Sequence, residues 1–324
     1  MSNPTPELIL HHYATSPFSE KVRLILGYKK LAWRAVTVPT INPKPDVLAL
    51  TGGYRKTPFL QVGSDIYCDS ALICKVLEHV RPSPTLYPAG QKGLARIVAQ
   101  WADDKLFWAA MAYNFSPKGS AQMFGGSPDA PVEEWGAAAK VFAEDRAKMR
   151  GATPRMAMGD ATSAYKSCLR RLASMVDDQP YLLGNAPCVA DFAAYHPLWF
   201  TRTRTPVMAD ILNATPSVLA WMDRMAAFGQ GSSTKMTSTE AIAVCAASTG
   251  FQTLLQDSTF QDDHGIPLGS LVTIAAESFG TETTEGELVA ASRTHLTLRR
   301  TDERAGAVHV HFPRIGFILK KADA

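Results

Sequence analysis

The apolar positions of the first 80 residues change period several times. Leu8-Ile9-Leu10 is a short apolar run and reads as a buried strand. From Pro17 to Leu26 the apolar residues Val22, Leu24, Ile25 and Leu26 follow helical spacing, with Ser16 or Ser19 before them as a start signal. Residues 33–38, Trp-Arg-Ala-Val-Thr-Val, alternate like a second strand. The loop INPKPD leads into a short helical stretch that ends at Leu50, and TGGYRK is a turn. Residues 58–62 form a third strand, Gly63-Ser64 turns it into a fourth over 65–68, and a helix follows from Ser70 to His79. The order is β-α-β-α-β-β-α.

A proline-rich stretch, RPSPTLYPAG at 81–90, reads as a linker. Beyond it the pattern is helical almost throughout to Phe228. Tyr165, Leu169, Leu172 and Val176 line one helix, and Val218, Trp221, Met222 and Met225 another. FGQGSSTK at 228–235 reads as a second linker, and a helix is expected from Thr237 to Ala247. The pattern then changes to short alternating runs at 271–274, 296–298 and 308–312, with TETTEG and TDERAG as turns. The fold class is therefore α+β and multidomain. A β-α unit spans 1–82, an all-helical unit 91–229, and a helix plus β-rich unit 237–324, the last expected to close as a small barrel or sandwich.

Composition narrows the classes. The 324 residues are 46% apolar and 19% charged with a net charge of +3, too weak a balance to imply nucleic acid or an acidic membrane. No apolar run reaches the roughly 18 residues of a membrane span, and MSNPTPELILHHY lacks the basic start of a secretory signal. The five cysteines, Cys68, Cys74, Cys168, Cys188 and Cys245, are scattered and odd in number, which suits reduced thiols in a cytoplasm. None is close enough to another for a zinc-type pair.

Three local signals occur in order in the first unit. They are TSPFSEKVRLIL between strand and helix, KTPFL opening a strand, and CDSALI opening a helix. A fourth, LLGNAPCVADFAAY at 182–195, opens a helix in the second unit. Together they resemble the cytosolic glutathione transferase family over residues 7 to 228. SPFSEKVRLIL is similar to the active-site segment of the serine-type tau and zeta classes, and to the omega segment, which has Cys where Ser16 stands. KTPFL resembles the family's strand with a cis proline, DSALI its E-S-x-A-I, and the fourth segment its G-x-x-x-S/T-x-A-D helix start. The resemblance implies a thioredoxin-like domain followed by a helical bundle, glutathione as co-substrate, a small electrophile as second substrate, and a homodimer.

The physical chemistry agrees with that implication. A helix N-terminus carries unpaired N–H groups and about half a positive charge, so a thiolate placed there is stabilised. A hydroxyl donating to the sulfur favours the ionised form further. Ser16 stands where that hydroxyl is needed, although its plain reading is an N-cap. Tyr13, at the end of the first strand, is the rival sulfur-facing group, and Ser19 reads as a local cap. Because Ser16-Pro17-Phe18-Ser19 contains no sulfur, dithiol exchange at this turn is excluded.

By the resemblance, Thr57 and Pro58 present main chain to the cysteinyl part of glutathione. Asp69 and Ser70, at a helix start, would meet the γ-glutamyl ammonium and carboxylate. Lys56 and Arg55 could meet the glycyl carboxylate or be solvated surface cations. Thr for Val at 57 and Asp for Glu at 69 depart from the family pattern, and so does Cys188 in the S/T-x-x-D box. With Asp191, Cys188 reads as a softened cap, with a reactive thiol as the alternative. Trp108, Met111 and Tyr113 are candidate walls of the electrophile pocket and equally ordinary core residues.

The C-terminal unit lies outside the resemblance. His309 and His311 share a strand face, with His295 on another, and read as a solvated face rather than a metal site. A second reading makes the transferase-like body a non-catalytic scaffold whose β-rich unit binds a partner. A third makes glutathione a regenerated cofactor for isomerisation or dehalogenation.

Overall fold

The computed structural model of the chain describes residues 5–127, 129, 136–151, 154, 156–248, 254–255, 257 and 259–322. Its first unit follows the expected order: β1 (Ile9–His12), α1 (Pro17–Tyr28), β2 (Ala32–Thr37), α2 (Pro45–Thr51), β3 (Phe59–Val62), β4 (Asp65–Cys68) and α3 (Ser70–Val80). β1 runs parallel to β2 and antiparallel to β3, which pairs antiparallel with β4. Side chains alternate across this sheet as the strand period requires. Leu8 and Leu10 join one buried cluster, while Ile9 joins the other. α2 ends at Gly52, whose φ of 79° needs a residue without Cβ strain.

The helical unit begins with α4 (Lys92–Trp101), continues through a wide π-helical turn, Ala102–Leu106, and resumes as α5 (Phe107–Asn114). It then comprises α6 (Pro117–Phe124), α7 (Ala137–Arg150), α8 (Met158–Val176), α9 (Val189–Trp199) and α10 (Pro216–Ala226). Asp191 starts α9 from a fully buried position. It accepts from Cys188 N at 2.9 Å, Leu182 N at 2.8 Å and Trp221 Nε1 at 2.9 Å, so three chain segments meet on one carboxylate.

The last part comprises β5 (Ser232–Met236), α11 (Ser238–Ala247), β6 (Leu271–Ala276), β7 (Thr284–Ala291), β8 (His295–Asp302), β9 (Gly306–Pro313) and β10 (Phe317–Lys321). These strands do not close into a barrel or sandwich of their own, contrary to the sequence expectation. The ten strands of the described residues form one sheet in the order β10-β6-β7-β8-β9-β4-β3-β1-β2-β5. The seam is parallel: Asp65 lies opposite His309, Ile66 opposite Val310 and Tyr67 opposite His311. The physical reason is that β4 would otherwise be an open edge with unpaired N–H and C=O groups. Val308, Val310 and Phe312 also continue the apolar face that Ile66 and Cys68 begin. At the opposite end, part of the expected linker 228–235 is β5, parallel to β2.

Two buried clusters therefore flank the sheet. One joins Leu8, Leu10, Val22, Leu72 and Tyr67 to the helical unit through Phe107, Leu169 and Trp221. The other joins Ile9, Phe59 and Ile66 to Ile242 of α11 and to Val310 and Phe312 of β9. The histidines expected on a solvated face lie along the seam instead. His311 is buried, its ring stacked on Tyr67 at 4.4 Å, with Nε2 2.8 Å from Asp65 Oδ1 and Nδ1 3.0 Å from Thr297 Oγ1. His295 is on the same face, with its ring 6.4 Å from that of His311. Among the described residues no group of three or more His, Cys, Asp or Glu is placed to hold a metal ion.

Candidate functional site

The site is assembled where α1, the β3 entry and α3 all begin. Ser16 is the N-cap of α1, with extended backbone (φ −75°, ψ 123°) and Pro17 at the first helical position. Its Oγ accepts the Ser19 N–H at 3.1 Å and donates to the Thr57 carbonyl at 3.5 Å. The first bond is a cap of ordinary length, while the second is at the long limit for O–H···O. The Thr57–Pro58 peptide is cis, which brings the Thr57 main chain to the α1 start. Thr57 Oγ1 is buried and has no hydrogen-bond partner among the described residues.

Ser19, expected as a local cap, is instead the residue whose N–H is capped. Tyr13 contributes its carbonyl, which accepts from Ser16 N at 3.2 Å and from Arg23 Nη1 at 3.3 Å. Its side chain packs against the cluster around Ile9 and Val36. Ser16 is thus the hydroxyl that the fold brings against Thr57.

Asp69 caps α3, its Oδ1 accepting from Ala71 N at 2.8 Å, and its own N–H donates to Tyr54 Oη at 3.1 Å. Its φ of 76° is a conformation that costs free energy for any residue with a Cβ. Ser70 follows at the first turn, only 6% exposed.

Beneath Ser70 lies a charged chain that the sequence pattern did not reveal. Lys21 of α1, 1% exposed, places Nζ 3.1 Å from Ser70 Oγ and 2.5 Å from Asp103 Oδ2. Asp103 sits on the π-helical turn of the helical unit, and its Oδ1 lies 3.0 Å from His196 Nε2 on α9. Burial disfavours the Lys21 ammonium, but the Asp103 carboxylate outweighs it and raises the lysine pKa. Burial likewise disfavours the Asp103 carboxylate, yet Lys21 and the His196 bond hold its pKa below the ordinary value. Burial keeps His196 neutral against the pull of Asp103. With no partner for Nδ1 among the described residues, the neutral ring donates from Nε2. The one available signal was Lys21 itself, a cation three residues after Phe18 and four before Ile25 in an apolar stripe.

The two cations before Thr57 are not solvated. Arg55 is buried, with Nη1 2.7 Å from Asp145 Oδ1 on α7 and Nε hydrogen-bonded to Glu282. Lys56 is half-buried, with Nζ 5.4 Å from the Tyr54 ring centre and 5.2 Å from that of Phe317. Cys188 and Asp191 form a capping box. Burial pushes the Cys188 thiol up to about 12, which rules against a reactive thiolate there. Trp108 is partly exposed on α5 and meets Phe279 edge-on at 5.1 Å, whereas Met111 is core. Tyr113 donates its hydroxyl to the Met208 carbonyl at 3.2 Å.

The arrangement offers a capped helix start, a cis-proline main chain and a second helix start over a buried cation. A helix N-terminus favours a negatively charged group, so two such starts meet beside the cis-proline segment. The fold has counterparts among known proteins. Residues 10–85 match the glutathione S-transferase N-terminal domain and residues 136–224 the glutathione S-transferase C-terminal domain. Among curated proteins, none matches the chain. Among solved structures, a GST-like protein from Pseudomonas syringae is 41% identical and superposes with a TM-score of 0.79. That match covers 98% of this chain and 100% of that one, so it takes in the C-terminal strands. A glutathione S-transferase from Methylobacillus flagellatus, solved with GSH bound, is 18% identical with a TM-score of 0.50. It covers 68% of this chain and 95% of that one.

Proposed function

Since this chain belongs to the glutathione S-transferase family, we propose that it binds glutathione at the α1 start and activates its thiol for attack on a small electrophile. The observation that carries this reading is the double role of Ser16 Oγ. Its lone pair takes the Ser19 N–H, and its proton faces the Thr57 carbonyl across a weak contact. Accepting one hydrogen bond polarises the hydroxyl toward donating another. A sulfur entering beside Thr57 gives that proton a better acceptor, and the cap is kept.

In this reading the α1 N-terminus and the Ser16 hydroxyl lower the thiol pKa, and the thiol proton leaves to solvent. The thiolate then forms the C–S bond at the electrophilic carbon, and the leaving group departs with its electron pair. Thr57 main chain holds the cysteinyl unit as an added strand. Ser70, over Lys21, seats the γ-glutamyl carboxylate at the start of α3, and Asp69 receives the ammonium. The cations before Thr57, Arg55 and Lys56, serve the glycyl end. The family supports a dimeric state and a cytoplasmic setting for such an enzyme, and among the described residues no helix is long and apolar enough to cross a membrane.

Retention on immobilised glutathione, followed by turnover with a general aryl halide, tests the reading. Conjugate formation with stoichiometric loss of glutathione supports it. Turnover that regenerates glutathione would assign isomerisation or dehalogenation instead, and failure to bind would remove the enzyme reading.

A further inference from the structure

Residues 277–283, between β6 and β7, form a strap that leaves its own hairpin and runs along the loop leading to Thr57. Phe279 meets Trp108 of α5 at 5.1 Å, and Gly280 N donates to the Met149 carbonyl of α7 at 2.8 Å. A Cβ at Gly280 would come within 3.0 Å of Met149 Cε and 3.2 Å of Lys56 Cγ. A Cβ at Gly53 would come within 1.8 Å of the Thr283 carbonyl oxygen, so the two main chains touch. At the end of the strap, Thr284 Oγ1 accepts from Tyr54 N at 3.1 Å and donates to the Thr51 carbonyl at 3.1 Å. The strap therefore ties the 51–56 loop to the helical unit just ahead of Thr57 in the chain.

Its charge is placed to matter. Arg55, with a side chain only 3% exposed, holds two carboxylates: Asp145 with a side chain 9% exposed, and Glu282 with a side chain 40% exposed. Asp145 is built into the helical unit. Glu282 reaches the buried guanidinium from solvent and is the replaceable partner. Arg55 lies two residues before Thr57, whose carbonyl Ser16 faces, so the Glu282 carboxylate stands beside the site.

Building on the glutathione reading above, we propose that the strap is an intrachain gate. Glu282 holds, on Arg55, the place that the glycyl carboxylate of glutathione takes, and the strap moves aside as that carboxylate arrives. Asp145 keeps Arg55 paired in both states. Phe279, released from Trp108, uncovers the aromatic wall on which the electrophile rests. Closing and opening exchange one carboxylate for another at a single guanidinium, so the switch needs no net change of buried charge.

Titration of the full chain and its Glu282→Gln variant with glutathione by calorimetry tests the gate. An exposed carboxylate competing at one ion pair is worth about fivefold, so the variant should bind about fivefold tighter, with a faster association rate. In the unmutated protein, saturating glutathione should speed hydrogen exchange at residues 278–283. Equal affinity of the two proteins, or weaker binding by the variant, overturns the gate while leaving the glutathione site standing. Absence of binding in both overturns the site and the gate together. Glu282 is exposed, and Arg55 keeps Asp145, so the variant retains its fold. An exchange rate at 278–283 that slows with glutathione would also overturn the gate, because the strap would then be closing on the ligand.

Discussion

Ser16 Oγ accepts the Ser19 N–H at 3.1 Å and points its proton at the Thr57 carbonyl, 3.5 Å away across 41 residues of sequence. One hydroxyl thus caps α1 and reaches the cis-proline segment. The readings of Ser16 as helix punctuation and as sulfur-facing group are compatible, because they use different parts of the same group.

The Lys21–Asp103 pair should be a stability determinant at the domain junction. Asp103→Asn leaves the Lys21 ammonium buried without its carboxylate, and we expect a loss of about 3 kcal/mol. Lys21→Met keeps the apolar stem and should cost less. A double variant should recover part of the loss, which a denaturant titration of all four proteins would show as a coupling energy. Additive effects would mean that the two charges do not communicate.

Stability should also fall between pH 6.5 and 4. Burial pushes His11 down to about 4, with His12 adding to the effect and the Gln61 bond opposing it. Burial and the Arg23 charge push His12 to about 4, and burial with His311 pushes His295 to about 4. Each ring is neutral in the folded chain and takes a proton more readily when unfolded. Their contribution is complete above the ordinary value of 6.5 and is lost as pH falls toward 4. The melting temperature measured across this window should drop steadily, and His11→Gln should flatten the slope. A flat profile in the unmutated protein would contradict the burial of these rings.

Asp191→Ala should unfold the helical unit more easily without touching the chemistry. It leaves the Leu182 and Cys188 N–H groups and the Trp221 Nε1–H without their acceptor, and we expect a loss of at least about 3 kcal/mol. The denaturant midpoint should fall, while glutathione affinity per folded molecule stays unchanged.

The first unit was legible because its signals are local. Helix starts at Ser16 and Asp69, the strand-opening Pro58 and the alternation of β1 each lie within a few residues. What escaped was non-local or polar. β5 reads Ser-Ser-Thr-Lys-Met and is largely exposed, so no apolar face marks it as a strand. The parallel seam of β4 with β9 joins residues more than 240 apart, as His311 and Asp65 show. His311 looked solvated because Asp65 and Tyr67, which it meets across the seam, lie in another unit. Arg55 likewise looked like a surface cation because its carboxylates are 90 and 227 residues away. Lys21 and Asp103 were hidden for the same reason, and with them the cation under Ser70.

The central claim is that Ser16 lowers the pKa of glutathione bound at the α1 start. The direct measurement is a pH titration of the ultraviolet thiolate absorbance of the glutathione complex, for the unmutated protein and for Ser16→Ala. Thermal melts alongside would account for the lost cap, worth about 1 kcal/mol. We expect the bound thiol to titrate at least about one unit below the free thiol, and the variant to return most of that shift while its glutathione affinity holds. An identical thiol pKa in both complexes would contradict the account and leave Ser16 as a helix cap alone.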